Sequence, residues 1–189
     1  MTKLILMDAA LATKVRADMK RSLNASTSSI ELDLQDTQTC VDALQDLRDA
    51  TFQYTSIGIV ADGKQISTWG NTIRSSLFAD ALAQILHHDA SDDATSVGRV
   101  VDLFACNMRA NDLNVTDLST NLGAGISVYF STNRTGNQII ETHDWEMEKC
   151  MRGGVEARIA VERNVKTEYL TEKATQRIQR RQRRQRRQR

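Results

Sequence analysis

The sequence predicts an α/β fold: a three-layer sandwich, with helices on both faces of a mostly parallel sheet. Three observations lead there. Short, continuous apolar runs of strand length recur along the chain. Segments with apolar residues three and four apart lie between them, the spacing of amphipathic helices. The 189 residues are enough for one domain with a single core.

The elements follow in order. KLILMD, Lys3 to Asp8, is the first strand. ALATKVRADMKRSL then places Leu11, Val15, Met19 and Leu23 at helical spacing. SSIELDL, Ser28 to Leu34, alternates into a second strand. In TQTCVDALQDL, Cys40, Val41, Leu44 and Leu47 share a helical face, with Asp36 or Thr37 as N-cap. TSIGIVA, Thr55 to Ala61, is the third strand and runs into Asp62-Gly63. GKQISTW reads as a short hairpin or loop. NTIRSSLFADALAQILHH reads as one long helix, with Ile73, Leu77, Leu82, Ile85 and Leu86 on its apolar side. After the polar DASDDATSVG come the fourth strand RVVDLFAC, the helix NDLNVTDLSTNL and the fifth strand GISVYF, Gly125 to Phe130. Past Trp145, the alternation of Val155, Ala157, Ile159 and Val161 fits an edge strand, followed by a helix from about Asn164. Proline is absent, so Gly, Asn, Asp and Ser must mark the turns. The expected division is an α/β domain over residues 1–152, a strand and helix extension over 153–175, and an Arg/Gln-rich tail over 176–189, helical or disordered.

Charge is distributed unevenly. The formal net charge is +1, yet Arg177, Arg180, Arg181, Arg183, Arg184, Arg186, Arg187 and Arg189 close the chain with no acid among them. The other 176 residues hold 25 − 8 = 17 basic and 24 acidic groups. The result is an acidic body with a basic arm. Like charges at successive positions repel, so the arm orders only with a partner. Arginine's planar fork suits phosphate. RNA or DNA backbone, an anionic membrane and the acidic bodies of neighbouring copies are its three candidate acceptors.

No run is long and apolar enough for a membrane span, and Asp8 interrupts the apolar start MTKLILMDAALATKV. A cytoplasmic or matrix-like location is the expectation. Cys40, Cys106 and Cys150 stand far apart, with no C-x-x-C pair and no metal-ligand spacing, so reduced thiols are expected. RTGN and RGGVEAR are too short for a Walker or dinucleotide loop, and no cofactor is expected.

In parallel α/β sheets the ligand lies beyond the carboxyl ends of the strands. Asp8, Asp62-Gly63, Cys106-Asn107 and Ser131-Thr132 should gather there. Cys106 is either a nucleophile or a small buried side chain. Asp62 is either a catalytic or metal carboxylate or part of an Asp-Gly turn. Asp8, Asp62 and Asp102 supply too few ligands for a metal site, and Asp102 lies within a strand. His87 and His88 suit the end of a helix through its dipole. Trp69 and Trp145 suit cover for the sheet edge, and His143 follows the fifth strand. Asn133-Arg134-Thr135 is a glycosylation sequon only for a secreted chain.

Six fragments occur in order: LILMDAAL, IGIVADGKQ, STWG, VDLFACNM, LGAGISVYFSTNRTGN and HDWEME. Over roughly residues 3 to 148 this set resembles an uncharacterised bacterial domain at the front of very large repeat-containing surface proteins, within the caspase–gingipain superfamily of cysteine peptidases. The resemblance implies a caspase-like fold, with a His-Gly pair after the third strand and a nucleophilic Cys after the fourth. Cys106 falls at the nucleophile position, but Asp62-Gly63 stands where the family has His-Gly. A thiol nucleophile needs an imidazole to take its proton, and a nearby carboxylate opposes thiolate formation. The leading expectation is thus a non-catalytic caspase-like domain, a scaffold that forms a homo-oligomer or larger assembly through its tail. Its rivals are a packaging or ribonucleoprotein component, and a cysteine peptidase with a displaced base.

Overall fold

The computed structural model describes residues 2–62, 66–86, 99–105, 113–131, 146–158, 163–177, 180 and 187. Its first half alternates strand and helix: β1 (Thr2–Asp8), α1 (Thr13–Ser22), β2 (Thr27–Leu32), α2 (Thr37–Asp49) and β3 (Tyr54–Val60). Then come α3 (Ile66–Arg74), α4 (Ser76–Ile85), β4 (Val100–Phe104), α5 (Leu113–Leu122) and β5 (Ser127–Phe130). The last described elements are β6 (Glu146–Met147), β7 (Lys149–Arg152), β8 (Val155–Ala157), β9 (Arg163–Asn164) and α6 (Lys166–Tyr169).

Seven strands form one sheet in the order β2-β1-β3-β4-β5-β7-β8, and β6 pairs with β9 apart from it. The first five strands are parallel. β7 and β8 add an antiparallel edge. The order 2-1-3-4-5 is a doubly wound arrangement, with a switch point between β1 and β3.

Alternate residues of each central strand enter two separate cores. Leu4, Leu6, Ile57, Ile59, Val101, Leu103, Val128 and Phe130 meet α2, α4 and α5 on one face. Ile5, Met7, Val60, Phe104 and Tyr129 meet Met19 of α1, together with Val165, Tyr169 and Leu170, on the other. Burial on both faces is why the strands are continuous apolar runs. It yields the α/β class and the mostly parallel sheet the sequence predicts, with a mixed edge.

Several local expectations change. GKQISTW is neither hairpin nor loop over its described part, because α3 begins at Ile66. The single long helix is two, divided at Ser75, whose Oγ accepts from the Phe78 amide at 3.4 Å. That cap restarts the helical phase and turns Leu77 outward, 60% exposed. The Asp36 N-cap is present, with the carboxylate accepting from the Thr39 amide at 3.1 Å. The sequence reading passed over the β7–β8 hairpin. Its turn is Gly153-Gly154, both at positive φ, the conformation glycine adopts without steric cost.

Across the second face the chain runs as a strap, in which the helix expected from about Asn164 appears as the short α6 (Lys166–Tyr169). Met147 pairs with Arg163, Val165 and Tyr169 are fully buried, and Leu170 bridges to Leu23. The strap covers strands that α1 alone leaves open, so these residues complete the core. Gly58 makes the room: a Cβ there would lie 2.5 Å from Ile5 Cδ1 and 2.6 Å from Phe104 Cε2.

Candidate functional site

The carboxyl edge of the parallel strands is where this topology binds ligands. β3 and β4 reach it side by side, with Val60 opposite Phe104 and the Ala61 amide donating to the Phe104 carbonyl at 3.3 Å. Small buried residues floor the edge: Ala61, Ala105 and Ser131. Asp62 follows at once, half-buried. Its backbone carbonyl accepts the indole N–H of Trp69 at 2.9 Å. Trp69 is fully buried in the first core. The expected edge cover is thus a core side chain whose polar tip anchors the end of β3.

Asp8 ends β1 on the same edge and is buried, 1% exposed. Oδ1 accepts from the Ala10 amide at 3.0 Å, an Asx turn that opens the β1–α1 connection. Burial raises its pKa, partly offset by the backbone hydrogen bonds of Ala10 and Leu34. Arg16 reaches back from α1 to donate to the Ala9 and Leu11 carbonyls and pairs with Glu31 at 2.9 Å. These contacts build the loop, and Asp8 serves the turn.

Asp102 does not join this edge. It lies mid-strand in β4, fully buried on the second face, where the Tyr169 hydroxyl donates to Oδ2 at 2.7 Å. The Tyr169 ring also meets Phe104 edge-on, with centroids 5.6 Å apart. Sequence reasoning noted Asp102 and missed Tyr169. The available signal was the apolar spacing of Val165, Tyr169 and Leu170.

No family model, curated protein or solved structure matches the chain.

Two of the three cysteines are described, both free and buried. Cys40 donates its thiol to the Asp33 carbonyl at 3.2 Å. Burial pushes its pKa up to about 12, with Asp33, Asp36 and Asp8 adding to the rise. Burial also raises Cys150, against the lowering effect of Arg152, Tyr129 and Ser127. Neither thiol is activated. Cys106, His87, His88, His143, Trp145 and the Asn133 sequon lie outside the described residues. Among the described residues no group of three or more His, Cys, Asp or Glu could hold a metal ion. None of their helices is long and apolar enough to cross a membrane.

The tail's root is well defined. The Thr171 amide donates to the Ser22 carbonyl at 2.8 Å. Asn24 donates through its backbone amide to the Tyr169 carbonyl and through Nδ2 to the Glu168 carbonyl, both at 2.9 Å. Lys3 pairs with Glu168 at 2.7 Å. The chain thus leaves the body beside the amino ends of β1 and β2, opposite the edge that carries Asp8 and Asp62. Arg177, Arg180 and Arg187 are exposed; Arg181, Arg183, Arg184, Arg186 and Arg189 lie outside the described residues.

Proposed function

We propose that the chain is a non-catalytic, caspase-like α/β domain that works as a structural module and assembles through its basic tail. One observation carries this reading. Asp62 follows β3, beside the strand that leads to Cys106, and its main chain is pinned by Trp69. A Cys-His peptidase of this class needs an imidazole there to take the thiol proton and later protonate the leaving amine. A carboxylate has too low a pKa to accept a thiol proton effectively, and its charge opposes the thiolate. The mainly parallel sheet with a mixed edge supports the caspase-like description. The root of the tail leaves the body at the far edge, away from Asp62.

The test is thiol chemistry set beside assembly. Cys106 should label with a thiol-directed probe near pH 7 no faster than an ordinary exposed cysteine. The full chain should form salt-sensitive oligomers that a chain ending at Gln176 does not form. Rapid, selective labelling of Cys106 would restore the peptidase reading.

A second reading has its own observation. From residue 179 to 189 the chain contains only Arg and Gln, with no apolar side chain. Membrane-surface helices need an apolar face, whereas phosphate backbone needs only charge. This composition favours nucleic acid over a membrane, as in a packaging or ribonucleoprotein component. Loss of RNA binding when the tail is deleted would support it, and a lack of binding at low salt would end it.

A further inference from the structure

The two edges of the main sheet differ. β8 closes one with three residues, and its Glu156 pairs with Lys149. A short strand with charged side chains is a blunted edge. β2 closes the other with six residues, TSSIEL, in unbroken register with β1. It carries no proline, no lysine and no bulge, the usual guards against pairing with another chain. Its one charge, Glu31, is held by Arg16 at 2.9 Å and by Lys20 at 2.6 Å.

The backbone shows what this edge offers. The Ser26 and Leu32 carbonyls accept from the Lys3 and Ala9 amides, both at 2.8 Å. Even-numbered residues of β2 therefore direct their amides and carbonyls toward β1, and odd-numbered residues direct theirs outward. The Thr27 amide is already used by the Asn24 carbonyl at 3.1 Å. The Asp33 carbonyl is used by the Asp36 amide at 3.0 Å and the Cys40 thiol at 3.2 Å. Between these two residues, the amides and carbonyls of Ser29 and Glu31 have no partner among the described residues. Ile30 lies between them, half-buried against the first core.

That pattern is complementary to itself. Set antiparallel about a two-fold axis at Ile30, Ser29 stands opposite Glu31 of the second copy. Each such pair exchanges two hydrogen bonds, and Ile30 meets its symmetry mate where side chains approach closest. An axis at Ser29 would call on the Thr27 amide, which is taken. An axis at Glu31 would set two carboxylates directly opposite, a destabilising pair.

We propose that β2 pairs antiparallel with β2 of a second copy, across a two-fold axis at Ile30, joining the two sheets edge to edge. The proposal rests on the tail-driven assembly above and adds the contact between bodies. Four bonds are few against the freedom two bodies lose on associating. Bodies already gathered by their tails pair at a high effective concentration. A chain without its tail stays a monomer.

Amide hydrogen exchange tests this on the unmodified full chain, at low salt and at high salt, with sedimentation velocity on the same samples. Where oligomers form at low salt, the Ser29 and Glu31 amides should exchange at least about tenfold more slowly than at high salt, and those of β8 should not change. Mild oxidation of Ile30→Cys should link two chains through position 30 at least about tenfold faster than Ser28→Cys links through position 28, because only the first brings two thiols within disulfide reach. Oligomers without protection at Ser29 and Glu31, or with protection at β8 instead, would overturn the inference and leave tail-driven assembly standing. Equal linking by the two cysteine variants would do the same. A full chain that is monomeric at every salt concentration would overturn both.

Discussion

Replacing Tyr169 with phenylalanine removes one oxygen atom from the centre of the second core. The hydroxyl donates to Asp102 Oδ2 at 2.7 Å, both residues are fully buried, and the Phe104 contact does not depend on the hydroxyl. A hydrogen bond contributes about 0.5–1.5 kcal/mol net, and leaving a buried acceptor without its partner costs about 1–3 kcal/mol. The expected loss is therefore about 2 kcal/mol. In a chain of this length each kcal/mol lowers Tm by about 2–4 °C, so Tyr169→Phe should melt about 4–8 °C lower. Tyr169→Ala also loses the ring and its edge-on contact, and should cost about 3–5 kcal/mol. It should expose Cys150, which shares that core, to a thiol reagent before Cys40 on the opposite face. Thermal and urea denaturation measure the first effect, and timed alkylation measures the second. A Tyr169→Phe variant within about 0.5 kcal/mol of the parent, the range of an ordinary surface change, would refute the claim that strap and β4 are locked through this bond.

Gly58→Ala should destabilise by about 1–3 kcal/mol in urea unfolding, because the new methyl group would overlap Ile5 and Phe104. The native protein should react slowly at Cys40 and Cys150 with a disulfide reagent at pH 7 and at full rate once unfolded, since burial holds both thiols protonated. Asp8 has a pKa raised mainly by burial, so its protonated form favours the fold. Its stabilising effect is complete below the ordinary aspartate value of 3.8 and is lost as pH rises through the folded pKa. Asp8→Asn, which can still accept the Ala10 amide, should therefore gain stability over the parent at pH 7, and the gain should vanish near pH 3. A variant less stable than the parent at pH 7 would show that the ionised carboxylate is needed.

The parallel sheet was legible because its strands are buried on both faces, which writes them as unbroken apolar runs such as Leu4 to Met7. The Asp36 cap was legible because capping is local. The break at Ser75 carried a local signal too, a serine between two apolar-periodic segments, but the pattern on either side concealed it. Gly153-Gly154 between two short runs is likewise a hairpin signal, obscured by charged neighbours on a short edge. Two features could not be read from one sequence. The pairing of Asp102 with Tyr169 joins residues 67 positions apart, and the space at Gly58 depends on side chains from two other strands. At the candidate site the sequence placed Asp62 at the end of the third strand. The anchoring of that turn by Trp69 came from tertiary packing alone.

Sedimentation velocity, comparing the full chain with a chain ending at Gln176 from low to high salt, tests most directly whether the tail drives assembly. The account predicts larger, salt-sensitive species for the full chain and a single monomer for the shortened one. A full chain that sediments as a monomer at every salt concentration would contradict it.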